Sequence, residues 1–188
     1  MRTALVVLAL VALPLGAPAQ VPLRREMARL GFMVGTWQGT GWVRYAQDGP
    51  ARAARVRAEG QPRLAGLVLG WTSTAVSTDL SIRFRADSAA FRATLRHGGA
   101  PVDGWVRPGA CEVAWGYRNP SDAQTLFRFR SRVEGTRRVE AGERSPDGGR
   151  TWWAFYGAEM QGPVMAGCEA PRSAAPQPQP SAPAARPF

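Results

Sequence analysis

Lysine is absent from this chain of 188 residues, so all 24 basic residues are arginine. Histidine occurs once, as His97, and cysteine twice, as Cys111 and Cys168. No C-x-x-C, H-E-x-x-H, G-x-S-x-G or phosphate-loop pattern is present. Those absences remove the sequence signatures of dithiol redox sites, zinc proteases, serine hydrolases and P-loop enzymes. Glu112, Glu140, Glu143 and Glu159 sit among arginines on predicted strands, where surface ion pairs are the expected role. The chain is therefore read as a non-enzyme with no catalytic residue, no metal site and no cofactor, an active site in the mouth of a barrel being the alternative. A nucleic-acid or phosphate surface normally draws on lysine as well as arginine, because lysine is itself a good phosphate contact. With no recognition motif either, nucleic acid is not an expected partner.

Also missing is an apolar run long enough to span a bilayer, which takes roughly 20 residues. Met1-Arg2-Thr3 is followed by an apolar stretch from Ala4 to Ala12, broken by Pro14 and closed by Ala17-Pro18-Ala19. One positive charge, a short apolar core and small residues before a cut form the pattern of a secretory signal. Cleavage after Ala19, residues 1–19 forming the signal, is the expectation. No cysteine follows the apolar stretch to accept a lipid, so a free periplasmic or secreted product is expected. At the other end, residues 171–188 read PRSAAPQPQPSAPAARPF. Such a segment has too little to bury to recover its ordering entropy and is expected to be disordered. A polyproline recognition stretch at Pro176–Pro180 is the alternative.

Between these ends, residues 21–170 suit one domain with a core of its own. The net charge is +10, and loss of Arg2 with the signal leaves +9. A surface that basic attracts anionic membrane head groups or acidic polysaccharide. In an oxidising compartment the even cysteine count makes a Cys111–Cys168 bridge the expected state, fastening the segment after the last strand to the domain. Two independent thiols are the other reading.

Leu23, Met27 and Leu30 share one face of a short helix, with Gly31 at its stop. Period-two patterns follow. Trp37, Gly39, Gly41, Val43 and Tyr45 alternate with polar residues and Trp42. Leu80, Ile82 and Phe84 oppose Ser81, Arg83 and Arg85, while Phe91, Ala93 and Leu95 oppose Arg92, Thr94 and Arg96. Cys111, Val113, Trp115 and Tyr117 share a face, as do Phe127 and Phe129. Turn signals separate these runs at residues 48–50, 97–99, 107–109, 119–122 and 147–149. One dry and one wet face per strand is the antiparallel habit. The predicted fold is all-β: an up-and-down barrel of about nine or ten strands with a short N-terminal helix, a β-sandwich being the alternative.

The passage from Gly31 to Gly41, GFMVGTWQGTG, resembles the opening of lipocalin-like barrels, in which a short helix leads through G-x-W into the first strand. The resemblance implies that Gly35 permits the tight turn and that Trp37 closes the barrel floor. It also implies an arginine against that Trp from just past the last strand, yet no basic residue follows Trp153 until Arg172. On this ground the chain is similar to the uncharacterised bacterial lipocalin-like domains. Nitrobindin-type haem barrels open with a similar Gly-Thr-Trp strand but hold haem through a histidine near the C-terminal end. Here the one histidine lies mid-chain, so haem ligation is not expected. Separately, Ser145-Pro146-Asp147-Gly148-Gly149-Arg150-Thr151-Trp152 matches the S-x-D-x-G-x-T-W pattern of the Asp-box. Its expected role is local: Ser145 and Asp147 bond the turn backbone, Gly149 permits positive φ, and Thr151 and Trp152 complete the stapled hairpin.

If the apolar faces turn inward, Trp37, Trp71, Phe84, Phe91, Trp115 and Phe129 are the candidate interior residues, with the arginines outside. A barrel of this size holds one small apolar molecule or fills itself with side chains. The leading expectation is an exported lipocalin-like domain that binds a small hydrophobic ligand. The alternative is an interaction module whose arginine-rich exterior contacts anionic envelope components.

Overall fold

The structure, a computed structural model, describes residues 25–63, 66–73, 77–85, 87–96 and 100–168. The signal, His97 and the proline-rich tail lie outside the described residues. Ten strands follow a short helical segment: β1 (Gly35–Val43), β2 (Arg52–Arg63), β3 (Gly66–Ser73), β4 (Ser77–Arg85), β5 (Ala90–Arg96), β6 (Val102–Pro108), β7 (Glu112–Arg118), β8 (Leu126–Glu134), β9 (Arg137–Ser145) and β10 (Trp153–Gln161). Each pairs antiparallel with its neighbour in sequence, and β1 pairs with β10 to close the barrel. The sandwich alternative is thereby excluded. Closure leaves neither β1 nor β10 with an unpaired edge.

Alternation accounts for the two faces. Leu80 and Ile82 of β4, Val113 of β7 and Val133 of β8 point inward and are almost fully buried. Each such side chain contributes about 1.5–3 kcal/mol through removal from water. On the outer wall, Arg128 bonds Glu143 at 2.7 Å and Arg137 bonds Glu159 at 2.8 Å, while Arg130 lies 3.3 Å from Glu112. Three of the four glutamates therefore have the expected surface role. The fourth, Glu140, does not.

One end of the barrel is sealed. Residues 25–28 are helical, and a 3-10 turn (Gly31–Met33) places Leu30, Phe32 and Met33 across the opening. Gly35, at φ +110°, turns the chain from this plug into β1, a conformation that side-chain-bearing residues rarely adopt. Trp37 then lies fully buried at the floor. The chain after β10 returns beneath it: Gly162 N–H bonds Thr136 C=O at 2.9 Å, and Met165 N–H bonds Gly135 C=O at 3.2 Å. Gly162 passes so close to the Trp37 ring that no Cβ would fit between them. The Cys111–Cys168 disulfide joins this returning segment to the β6–β7 turn, with Cα atoms 5.5 Å apart. Two stretches separated by 57 residues are thus tied across the sealed end.

Candidate functional site

The other half of the barrel encloses a cavity of about 340 Å³. Its wall is mostly aromatic. Trp115 stacks on Phe129 at 4.0 Å between ring centroids, and Trp71 leans on Trp115 at 5.6 Å. Nearer the mouth, Tyr117 stacks on Phe127 at 4.9 Å. A β-bulge between Ala154 and Tyr156 breaks the alternation of β10, and both Phe155 and Tyr156 line the lumen. Phe155 meets the Phe127 ring edge-on at 5.4 Å. Across from them, β2 presents only small or branched residues, Ala54 and Val56, which leave the space open.

The six candidate interior residues divide between this cavity and the floor. Trp71, Trp115 and Phe129 line the cavity. Trp37 is sealed below it, and Phe84 and Phe91 pack edge-to-face at 5.2 Å in the core, outside the cavity lining.

Between floor and cavity lies a charged layer that hydrophobic patterning did not indicate. Arg138 is fully buried and donates to Glu140, itself only 6% exposed, and its Nε donates to Ser131 Oγ at 2.9 Å. Glu140 also accepts from Trp71 Nε1 at 2.9 Å, Tyr156 Oη at 2.9 Å and Ser131 Oγ at 3.1 Å. Burial, reinforced by the Glu140 charge, pushes the Tyr156 phenol well above its ordinary pKa, so Tyr156 stays a neutral donor. Burial pushes Tyr117 up to about 12. The Arg138 guanidinium sits 5.8 Å from the Trp37 ring and 5.7 Å from the Trp71 ring. An arginine thus lies against the floor tryptophan, and it comes from β9, before the last strand. The expectation that the arginines coat only the exterior and that Glu140 is a surface residue is corrected accordingly.

Three more arginines, Arg44, Arg130 and Arg144, border the cavity, and of these Arg130 is paired with Glu112 at 3.3 Å. The Asp-box hairpin that joins β9 to β10 begins one residue beyond Arg144. Ser145 Oγ accepts from Gly149 N–H at 2.8 Å and donates to Asp147 at 2.8 Å. Asp147 further accepts from the Thr151 hydroxyl at 2.6 Å and from the Thr151 and Arg150 amides at 2.9 and 3.0 Å. Gly148 and Gly149 take φ values of +73° and +98°, and the Trp152 indole donates to Gly149 C=O at 3.0 Å.

The Thr151 hydroxyl and amide, with the Ser145 hydroxyl, hold the Asp147 carboxyl far below the usual carboxylate range. A depressed folded-state value stabilises the protein above the unfolded-state value of about 3.9 and is lost as pH falls through the folded value. Asp147→Asn is accordingly expected to lower the melting temperature by a constant amount between about pH 5 and pH 8. The gap between variant and parent should narrow below about pH 4, where the unfolded carboxyl takes up its proton. Melting curves across that range check it, and a gap that widens in acid contradicts it.

No family model matches the chain, and no curated protein matches it. Among solved structures, the barrel is similar to the crystal structure of Rv2717c from M. tuberculosis, with a TM-score of 0.54 and 12% sequence identity. The match covers 78% of this chain and 98% of that one. At that identity the likeness concerns the fold alone.

Proposed function

We propose that this chain is an exported lipocalin-like barrel that holds one small hydrophobic molecule in the lumen above its charged layer. The observation that carries the reading is the cavity of about 340 Å³ walled by stacked aromatic rings. Ligand sites are typically concave, largely apolar and roughly 300–1,000 Å³ in volume, so this one suits a compact ligand. The sealed floor and the aromatic wall exclude water on all sides but the mouth. In that setting an apolar body gains its full burial free energy, about 25 cal/mol per Å² removed from water. The kinship with lipocalin-like domains is supported by Gly35, Trp37 and the Arg138 guanidinium lying against that tryptophan. Export is supported by the leader sequence through Ala19.

N-phenyl-1-naphthylamine, a neutral probe that fluoresces in apolar surroundings, tests the reading. Saturable binding at one probe per chain is expected. Ala54→Phe, which places a ring in the lumen from the open side, should abolish it while leaving the melting temperature unchanged or raised. Equal binding by parent and variant would place the probe elsewhere and remove the proposal.

A further inference from the structure

We propose that the mouth of the cavity is built to hold an oxyanion, so that the ligand is an amphiphilic acid. Its apolar body fills the aromatic lumen, and its carboxylate or sulfonate meets Arg144 and Arg44. This rests on the reading of the lumen as a ligand site and names the chemical class it takes.

The two arginines differ from the others around them. On β8 and β9, Arg128 and Arg137 each have a carboxylate partner, and Arg130, which also borders the cavity, lies 3.3 Å from Glu112. Inside the floor, Arg138 has Glu140. Arg144 and Arg44 make no ion pair among the described residues, and the Nε of each is buried with no hydrogen-bond partner there. A guanidinium N–H removed from water and left unbonded is costly, and an oxyanion is the acceptor that best offsets the cost. The guanidinium of Arg144 lies 5.8 Å from the Phe127 ring and 5.9 Å from the Trp153 ring, so it is held between apolar faces and not extended into solvent. Arg44 lies over Trp42 at 5.8 Å, with only a long contact of 3.5 Å from Nη1 to Gln47 C=O.

Both arginines flank the bulged start of β10. Arg144 is the cross-strand partner of Trp153 from β9, and Arg44 N–H bonds Phe155 C=O at 2.7 Å from the β1 side. The one acid among the described residues lining the lumen, Glu140, is engaged by Trp71, Tyr156, Ser131 and Arg138. Asp122, whose carboxyl feels the Arg144 charge, is committed to Thr125 Oγ1 at 2.6 Å and Gln124 N–H at 3.0 Å. Among the described residues, no carboxylate makes an ion pair with either arginine. The Asp-box fixes Arg144 where it stands, because Ser145 is both the last residue of β9 and the first anchor of the hairpin.

A matched pair of probes decides the matter. 8-Anilino-1-naphthalenesulfonate has the skeleton of N-phenyl-1-naphthylamine with one sulfonate added. At low salt the sulfonate is expected to bind at least about tenfold more tightly than its neutral counterpart, the gain of roughly one charge-assisted hydrogen bond. Arg144→Gln and Arg44→Gln should each bring the ratio of the two affinities toward one. Arg83→Gln, on the outer wall, should leave the ratio as it is. Should Arg144→Gln fail to fold, the parental ratio and Arg44→Gln still decide. Equal affinities in the parent, or a ratio untouched by both lumen variants, would overturn the oxyanion site while the neutral probe still binds. If neither probe binds, the reading of the lumen fails with it.

Discussion

Replacing Arg138 with methionine is expected to destabilise the barrel by about 3–5 kcal/mol, the usual cost of leaving one member of a buried ion pair without the other. Arg138 is fully buried and Glu140 only 6% exposed, so water from the lumen can replace the lost donor only in part. Glu140→Gln should cost a similar amount for the converse reason, since Arg138 would keep its charge with only neutral acceptors, Ser131 Oγ and the glutamine carbonyl, around it. The double variant Arg138→Met/Glu140→Gln should be more stable than either single one. Its glutamine carbonyl can still accept from Trp71 or Tyr156, and no net charge remains in the floor. Denaturant unfolding of the four proteins provides the coupling energy. A single-variant loss below about 1 kcal/mol would mean that the layer is solvated and not sealed.

Removal of the Cys111–Cys168 bridge is the second large effect. Closing a loop across 57 residues restricts the unfolded chain by about 4 kcal/mol in the chain-entropy account. Cys111→Ser/Cys168→Ser should lose most of that, and dithiothreitol should reproduce the loss in the parent. The consequence is local as well as global. The bridge holds residues 162–168 against the β8–β9 turn, where Gly162 covers the Trp37 ring. Without it the sealed end is expected to open before the rest of the barrel, and Trp37 should become accessible to acrylamide at denaturant concentrations that leave β7 and β8 folded. An unchanged unfolding midpoint on reduction would contradict this role.

Much of the fold was legible in the sequence, and the reasons are visible strand by strand. β4 and β5 alternate cleanly because their outer residues are mostly arginine, threonine or serine and their inner ones mostly apolar, and β7 does so because Val113, Trp115 and Tyr117 share its inner face. The Asp-box was legible because its bonds are local and its residue types specific. β9 was not. Its sequence, RRVEAGERS, puts Val139 and Ala141 on the wet face and Arg138, Glu140 and Arg144 inside, the reverse of what hydrophobicity suggests. A signal for it did exist in register. Phe127 and Phe129 set the inner face of β8, which carries Val133 inward as well. The two-residue turn at Gly135-Thr136 then pairs Val133 with Arg138, which commits Arg138 to the interior. The resemblance implies a floor arginine from past the last strand, whereas the arginine that lies against Trp37 comes from β9. The bulge at Phe155 was hidden for a different reason, since one inserted residue leaves no trace in an otherwise aromatic run.

The indole N–H resonances of the seven tryptophans offer the most direct test of a ligand-holding lumen. N-phenyl-1-naphthylamine titrated into ¹⁵N-labelled protein should shift Trp71 and Trp115, which line the cavity, and leave Trp37 below the charged layer and Trp105 on the outer wall in place. Saturable shifts confined to the lumen tryptophans are the expected result. Shifts centred on Trp105, or none at all at saturating probe, would contradict it.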